Sequence, residues 1–258
     1  MHKPYIGITD FTLIEETKMM CNFFVRNLPK NLQRVLMVGV MMSQKTLNEL
    51  PTKWGSIFPP KKRIQRIFFP HELLFNTLHY VDYEDANFAK NIFKALNFCG
   101  SNIDALQFDM IWPDVKVIKK IKEKNPEIQI IIQGNSVAMA QTDNNPTKFL
   151  EHLKLYGNSI SYVLLDKSMG RGLGMDAKAL LPFVRALKNG WPELGIAIAG
   201  GLGPNTIHLA EPVIREFPDV SIDAQSKLRP SGNALDPIDW DMARRYILQA
   251  LKMFIKHR

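Results

Sequence analysis

Short apolar runs rich in β-branched residues recur along the chain, at residues 4–8, 35–42, 76–81, 105–108, 128–132, 162–166, 195–199 and 220–224. They do not alternate polar with apolar positions. Ile128-Gln129-Ile130-Ile131-Ile132 and Tyr162-Val163-Leu164-Leu165 are apolar on both faces, which predicts parallel strands covered on both sides by helices. Between the runs the apolar positions take helical spacing. Examples are Phe88, Ile92, Phe93 and Leu96; Val115, Ile118 and Ile121; Phe149, Leu153 and Tyr156; Ala179, Phe183 and Leu187; and Ile238, Met242, Ile247, Leu251 and Ile255. Eight strand–helix units in 258 residues predict an α/β fold, a (β/α)8 TIM barrel forming a single domain over 1–258. An open doubly wound sheet is the competing arrangement.

Helix-breaking residues support this division. Asn145-Pro146 ahead of Phe149, and Pro204-Asn205-Thr206 ahead of Ile207, read as helix caps. Pro212 predicts a short or kinked seventh helix. Residues 43–72 hold Pro51, Pro59, Pro60 and Pro70 with the cluster Lys61, Lys62, Arg63 and Arg66, and predict an irregular basic insert.

Composition narrows the class. With 46% hydrophobic and 22% charged residues the chain is neither disordered nor fibrous. Two cysteines, Cys21 and Cys99, lie far apart outside any CxxC, which argues against a zinc ribbon or a disulfide framework and predicts buried packing residues. The net charge of +8 suits a phosphorylated ligand or nucleic acid, or is a solvated surface. Residues 1–10 carry no long apolar core, and no run approaches the ~18 apolar residues of a membrane span. A cytoplasmic protein with no membrane partner is expected.

Active sites of such barrels gather at the C-terminal ends of the strands. Strand 1 ends in Gly7-Ile8-Thr9-Asp10, strand 4 supplies Gln107 and Asp109, and strand 5 ends in Gln133-Gly134-Asn135. Strand 6 ends in Asp166-Lys167-Ser168 followed by Gly170-Arg171-Gly172-Leu173-Gly174. Strand 7 is followed by Gly200-Gly201-Leu202-Gly203, and strand 8 by Asp223-Ala224-Gln225-Ser226-Lys227. Glycine lets backbone amides approach a phosphate closely. Gly172, Gly174, Gly200, Gly201, Ala224, Gln225 and Ser226 are therefore the expected phosphate-binding residues, although a glycine turn needed only for geometry gives the same pattern. Asp166 closes an apolar strand, where desolvation raises a carboxyl pKa and suits it to acid catalysis; pairing with Lys167 or Arg171 is the alternative. Asp223 reads as substrate-binding or turn-forming. Gln107 and Asp109 share one face, being two residues apart on a strand, and either act on substrate or brace the mouth. Asp10 and Asp109 are candidate bases, with Gln107, Gln133, Asp223 and Arg171 around the substrate. His71, His79, His152 and His208 show no metal-binding spacing, so neither metal nor cofactor is expected.

At these residues the chain resembles the phosphoribosylanthranilate isomerases, the (β/α)8 barrels of the tryptophan pathway. Ile6-Gly7-Ile8-Thr9 is similar to the family's Cys-Gly-Ile-Thr, and Leu106-Gln107-Phe108-Asp109 to its Gln-Leu-His strand. Leu164-Leu165-Asp166 with Gly172-Leu173-Gly174 looks like its Leu-Leu-Asp and glycine loop. Ala199-Gly200-Gly201-Leu202 with Pro204-Asn205, and Ile222-Asp223-Ala224-Gln225-Ser226, look like its phosphate loops. The resemblance implies an Amadori-type aldose–ketose isomerisation, with Asp166 in the acid position and the glycine loops on phosphate. The chain departs from the family where Ile6 replaces the cysteine base and Asp109 the histidine. Residues 43–49 hold Lys45 but not the family's arginine. The expected activity is thus isomerase chemistry on a phosphorylated sugar derivative with another base. The alternative is a non-catalytic barrel that binds phosphate, nucleotide or RNA. A monomer and a homodimer both fit.

Overall fold

Eight parallel strands close on themselves in chain order: β1 (Tyr5–Thr9), β2 (Val35–Ser43), β3 (Leu74–Val81), β4 (Ala105–Asp109), β5 (Gln129–Asn135), β6 (Tyr162–Asp166), β7 (Gly195–Ile198) and β8 (Ser221–Ala224). This is a computed structural model; it describes residues 2–83, 87–109, 112–167 and 174–258. Ile6, Gly7 and Ile8 of β1 pair with Ile222, Asp223 and Ala224 of β8, which makes the sheet a closed barrel rather than an open one. Around it lie α1 (Ile14–Asn27), α2 (Gln44–Leu47), α3 (Ile64–Ile67), α4 (Phe88–Leu96), α5 (Val115–Lys124), α6 (Ser136–Ala140), α7 (Pro146–Lys154), α8 (Ala177–Gly190), α9 (Glu211–Glu216) and α10 (Trp240–Lys256). Among the described residues no helix is long and apolar enough to cross a membrane.

The two-faced apolarity of the strands builds two cores. Ile6, Ile8, Val38, Ile130, Ile132, Val163, Leu165 and Ile222 point outward and pack under the helices. Tyr5, Val35, Met37, Phe75, Ala105, Ile131, Tyr162, Leu164 and Ala197 fill the barrel from within. The inner core has an aromatic floor at the N-terminal end, where Tyr5, Phe75 and Tyr162 stand with ring centroids 5.6–5.8 Å apart. Gly195 makes room for this floor, since a Cβ there would lie 2.1 Å from the Tyr162 ring. The Tyr162 hydroxyl donates to the Lys3 carbonyl at 2.8 Å. Alternation along each strand then places the last inward residues, which are polar, at the opposite, C-terminal end.

Three local expectations are refined. Asn145 caps α7 through its side chain, as its position before Pro146 predicts. Thr206 caps no helix amide; its hydroxyl donates back to the Gly201 carbonyl at 2.7 Å and so tightens the β7 loop. Pro212 lies in the first turn of the six-residue α9, behind a 3-10 turn at Ile207–Ala210, consistent with its missing N–H.

Residues 43–72 carry only short elements between stretches of irregular backbone. They form α2, 3-10 turns at Lys53–Ser56 and Lys61–Arg63, and α3. Ile64, Ile67 and Phe68 are buried in the outer core, so the basic stretch turns its apolar side chains inward and leaves Lys62, Arg63 and Arg66 in solvent. Lys61 is tied down by the Leu47 carbonyl at 2.9 Å and by Glu49 at 2.8 Å.

The aromatic floor yields a stability prediction. Tyr162→Ala should cost about 3–5 kcal/mol through the cavity it leaves. Tyr162→Phe should cost about 1 kcal/mol, the loss of one partly buried hydrogen bond. Urea unfolding midpoints of the two variants measure both.

Candidate active site

The C-terminal mouth of the barrel is ringed by Thr9 of β1, His79 of β3, Gln107 and Asp109 of β4, Gln133 of β5, Asp166 of β6 and Asp223 of β8. Each is the last or near-last inward position of its strand, and all are buried. They enclose a small cavity of about 80 Å³. A larger one of about 490 Å³ adjoins it through Met41, Val81 and Gln225, and is walled by Ser43, Lys45, Trp54 and Phe58.

Asp223 lies against the seam between β8 and β1. Its register partner is Gly7, where a Cβ would come within 2.5 Å of the Asp223 carboxylate, so only glycine admits the side chain. The Thr9 hydroxyl reaches both carboxylate oxygens, at 3.2 and 3.3 Å. Burial pushes the Asp223 pKa up to about 7; the His79 charge opposes the shift, the Asp109 charge adds to it, and the Thr9 hydrogen bond opposes it.

Opposite stands a chain of three side chains. Gln107 Nε2 donates to Asp109 Oδ1 at 2.9 Å and lies 3.0 Å from His79 Nδ1. His79 Nδ1 is 3.7 Å from Asp109 Oδ2. Burial works against charging the His79 ring, but the hydrogen bond and charge of Asp109, with the charges of Asp223 and Asp10, outweigh it and move its pKa up. Among the described residues His79 Nε2 has no hydrogen-bond partner.

Asp10, a candidate base, is occupied elsewhere. Its φ of +88° is a left-handed strain for a non-glycine residue. That geometry is held by its own amide on the Gly39 carbonyl at 2.9 Å and by its carboxylate on Arg229 Nη2 at 2.6 Å. Gln225 Nε2 donates to the other oxygen at 3.2 Å. Arg229 also binds the Gln225 and Asp236 carbonyls, so the pair clamps the β8 loop to the end of β1. Burial raises the Asp10 pKa against the opposing Arg229 charge. Asp10 does not line the mouth cavity, whereas Asp109 and Asp166 do.

Gly200, Gly201, Ala224, Gln225 and Ser226 border the same cavity from the β7 and β8 loops. Gly200 and Gly201 have φ of +124° and +59°, a turn that L side chains rarely adopt. The loops are locked together at Gly203, where a Cβ would lie 2.5 Å from the Lys227 carbonyl. Among the described residues the amides of Gly200, Gly201, Gln225 and Ser226 donate to no protein group. Gly174 lies on the far side of the β7 loop, in an adjoining cavity bordered by Ala199 and Gly200. Gly172 and Arg171 lie outside the described residues. Ile6 is turned away from the mouth into the outer core, so on β1 Gly7 and Thr9 are the residues that face it.

The strand-end pattern of the sequence assigns no role to His79, Thr9 or Arg229. His79 precedes the end of β3 by two residues, and only the inward parity of Phe75, Thr77 and His79 reveals it. Arg229 belongs to the loop after β8, and nothing in its spacing announces a contact with Asp10.

No family profile and no curated protein sequence matches the chain. Solved structures do. Phosphoribosyl anthranilate isomerase from Thermus thermophilus aligns with a TM-score of 0.62 over 98% of this chain and all of that one, at 11% identity. N-(5'-phosphoribosyl)anthranilate isomerase from Pyrococcus furiosus aligns with a TM-score of 0.56 over 97% of this chain and all of that one, at 14% identity. The N-terminal domain of a putative aldolase from Bacteroides vulgatus gives 0.52 over 98% of this chain and 86% of that one, at 14% identity. At these identities the likeness establishes the fold, a (β/α)8 barrel of the kind seen in those proteins.

Two measurements probe the mouth. Arg229→Met should cost about 3–5 kcal/mol, because it leaves Asp10 buried without its counter-charge; chemical denaturation reads this. Asp223 has a folded pKa raised above its unfolded value, so the stability it contributes is full below about pH 4 and is lost as pH rises through about 7. Asp223→Asn should therefore stabilise the protein more at pH 8 than at pH 5, as a pH series of melting curves would show.

Proposed function

We propose that this barrel binds a phosphorylated sugar derivative at its C-terminal mouth and isomerises it by proton transfer. The observation that carries the reading is one of convergence. The amides of Gly200, Gly201, Gln225 and Ser226, which have no partner among the described residues, border the same cavity as the carboxyls of Asp109, Asp166 and Asp223. Amides at tight glycine turns are anion donors, and Asp223, a buried carboxyl whose affinity for protons burial raises, is an acid–base group suited to neutral pH. Phosphate on the β7 and β8 loops leaves the sugar to extend over the carboxyls towards the 490 Å³ cavity. Asp166 is the acid in this reading. The chain's neighbours in fold include phosphoribosylanthranilate isomerases, which supports the same class of substrate. The RNA-binding alternative loses its main support, because the apolar residues interleaved with Lys61, Lys62, Arg63 and Arg66 are docked on the barrel.

Thermal unfolding with ribose 5-phosphate, ribulose 5-phosphate, inorganic phosphate and a short RNA tests the reading. A sugar phosphate at a hundredfold over its Kd should add about 2.7 kcal/mol, a rise of roughly 5–10 °C for a chain of this size. Gly201→Asp, which places a carboxylate where the anion sits, should abolish the rise. A shift with RNA and none with any sugar phosphate would overturn the proposal.

A further inference from the structure

Resting on the isomerase reading, we propose that Asp223 is the catalytic residue that takes and returns the carbon-bound proton of the substrate, and that His79 is the positioning residue paired with it across the mouth. The other two candidate bases are already engaged. Asp10 is bound by Arg229 and Gln225, and Asp109 accepts from Gln107 beside His79. Asp223 is held by the Thr9 hydroxyl with no cation in contact among the described residues, and it lines the cavity. A carboxylate that is desolvated yet aimed at the substrate space is a strong base.

His79 completes the arrangement. Its Nδ1 lies 3.0 Å from Gln107 Nε2 and 3.7 Å from Asp109 Oδ2, and its Nε2 is buried without a partner among the described residues. Buried polar atoms in folded proteins are normally bonded, so an orphan ring nitrogen marks a functional position. Nε2 faces the gap above Gly39, where a Cβ would lie 2.9 Å from Nε2 and 2.8 Å from Thr9 Oγ1. The two polar atoms line one gap, and Thr9 is already bonded to Asp223. Asp109, Gln107 and His79 thus adjoin this gap from one side, and Thr9, bonded to Asp223, adjoins it from the other. Among the described residues, the other titratable or charged groups around Asp223 are Asp10 with Arg229 at the end of β1, Tyr5 on β1, Asp166 on β6 and Tyr246 on α10.

The step balances without an oxidant. The Asp223 carboxylate removes the proton from C2, and the C–H electron pair becomes the C1–C2 double bond while the Asp166 carboxyl gives its proton to the C1 oxygen. Asp223 then returns its proton to C1, the C2 hydroxyl gives its proton to Asp166, and C2 becomes the carbonyl.

The test follows the carboxyl carbon of Asp223 by NMR across the neutral pH range, assigned by loss of the signal in Asp223→Asn. The signal should titrate near neutrality. His79→Gln removes a charge that favours the carboxylate, and Thr9→Val removes a hydrogen bond that does so; each should move the midpoint up by about one pH unit. Titration in the ordinary carboxylate range, or a midpoint unmoved in both variants, overturns the pairing. In parallel, deuterium uptake from D₂O into ribose 5-phosphate and ribulose 5-phosphate should fall about 100-fold or more in Asp223→Asn. In His79→Gln uptake should persist with its acidic limb displaced to higher pH. Uptake undiminished in Asp223→Asn overturns the assignment. Stabilisation by a sugar phosphate without any uptake overturns it too, while leaving the phosphate site standing. Failure of every sugar phosphate to stabilise the protein instead removes the isomerase reading beneath it.

Discussion

The pairing of β8 onto β1 is the constraint on which the rest of the molecule depends. It closes the sheet, so no strand is left with unpaired amides at an edge. It also assembles the mouth. Gly7 and Asp223 are register partners across this seam, Thr9 binds Asp223 over it, and the Asp10–Arg229 pair holds its upper end. Lower down, the Tyr5 amide donates to the Ser221 hydroxyl at 2.9 Å. These contacts join residues more than 210 positions apart, so the candidate site exists only once the chain has closed completely. Loop-closure entropy is repaid at that moment and not before.

Placing so many ionisable groups in one low-dielectric mouth is costly unless they share charge. The structure divides them. Arg229 neutralises Asp10 and in doing so secures a strained backbone. His79 stands between Asp109 and Asp223, and its raised affinity for a proton is the counterpart of their negative charge. At Asp223 burial outweighs the nearby His79 charge and the Thr9 hydrogen bond, and pushes its pKa up to about 7. The raised proton affinity of Asp223 thus follows from its burial and from how the neighbouring charges are paired.

The segment between β2 and β3 shapes what the mouth can receive. Burial of Ile64, Ile67 and Phe68 docks it against the barrel, and Trp54 stacks on Phe58 at 5.4 Å on the rim of the larger cavity. Of its basic residues, Lys45 and Lys53 line this cavity, whereas Lys62, Arg63 and Arg66 lie in solvent.

The range of each interaction governs how much of the molecule was legible in the amino-acid sequence. The eight strands were legible, because two-sided burial demands runs such as Ile130-Ile131-Ile132, and that demand is local. The glycine loops after β7 and the inward pair Gln107–Asp109 were legible for the same reason, since turn geometry and strand parity act over a few residues. The fate of Ile6 was not, because whether a strand residue faces the helices or the mouth depends on the register between strands. Nor were the engagement of Asp10 by Arg229, the orphan nitrogen of His79 or the opposition of Asp223 to Gly7. Local patterning thus specified the barrel and the end of it that carries the polar groups. Which carboxyl is paired and which is left to titrate was settled in three dimensions, because that choice is electrostatic and is made between side chains that the chain brings together only on closing.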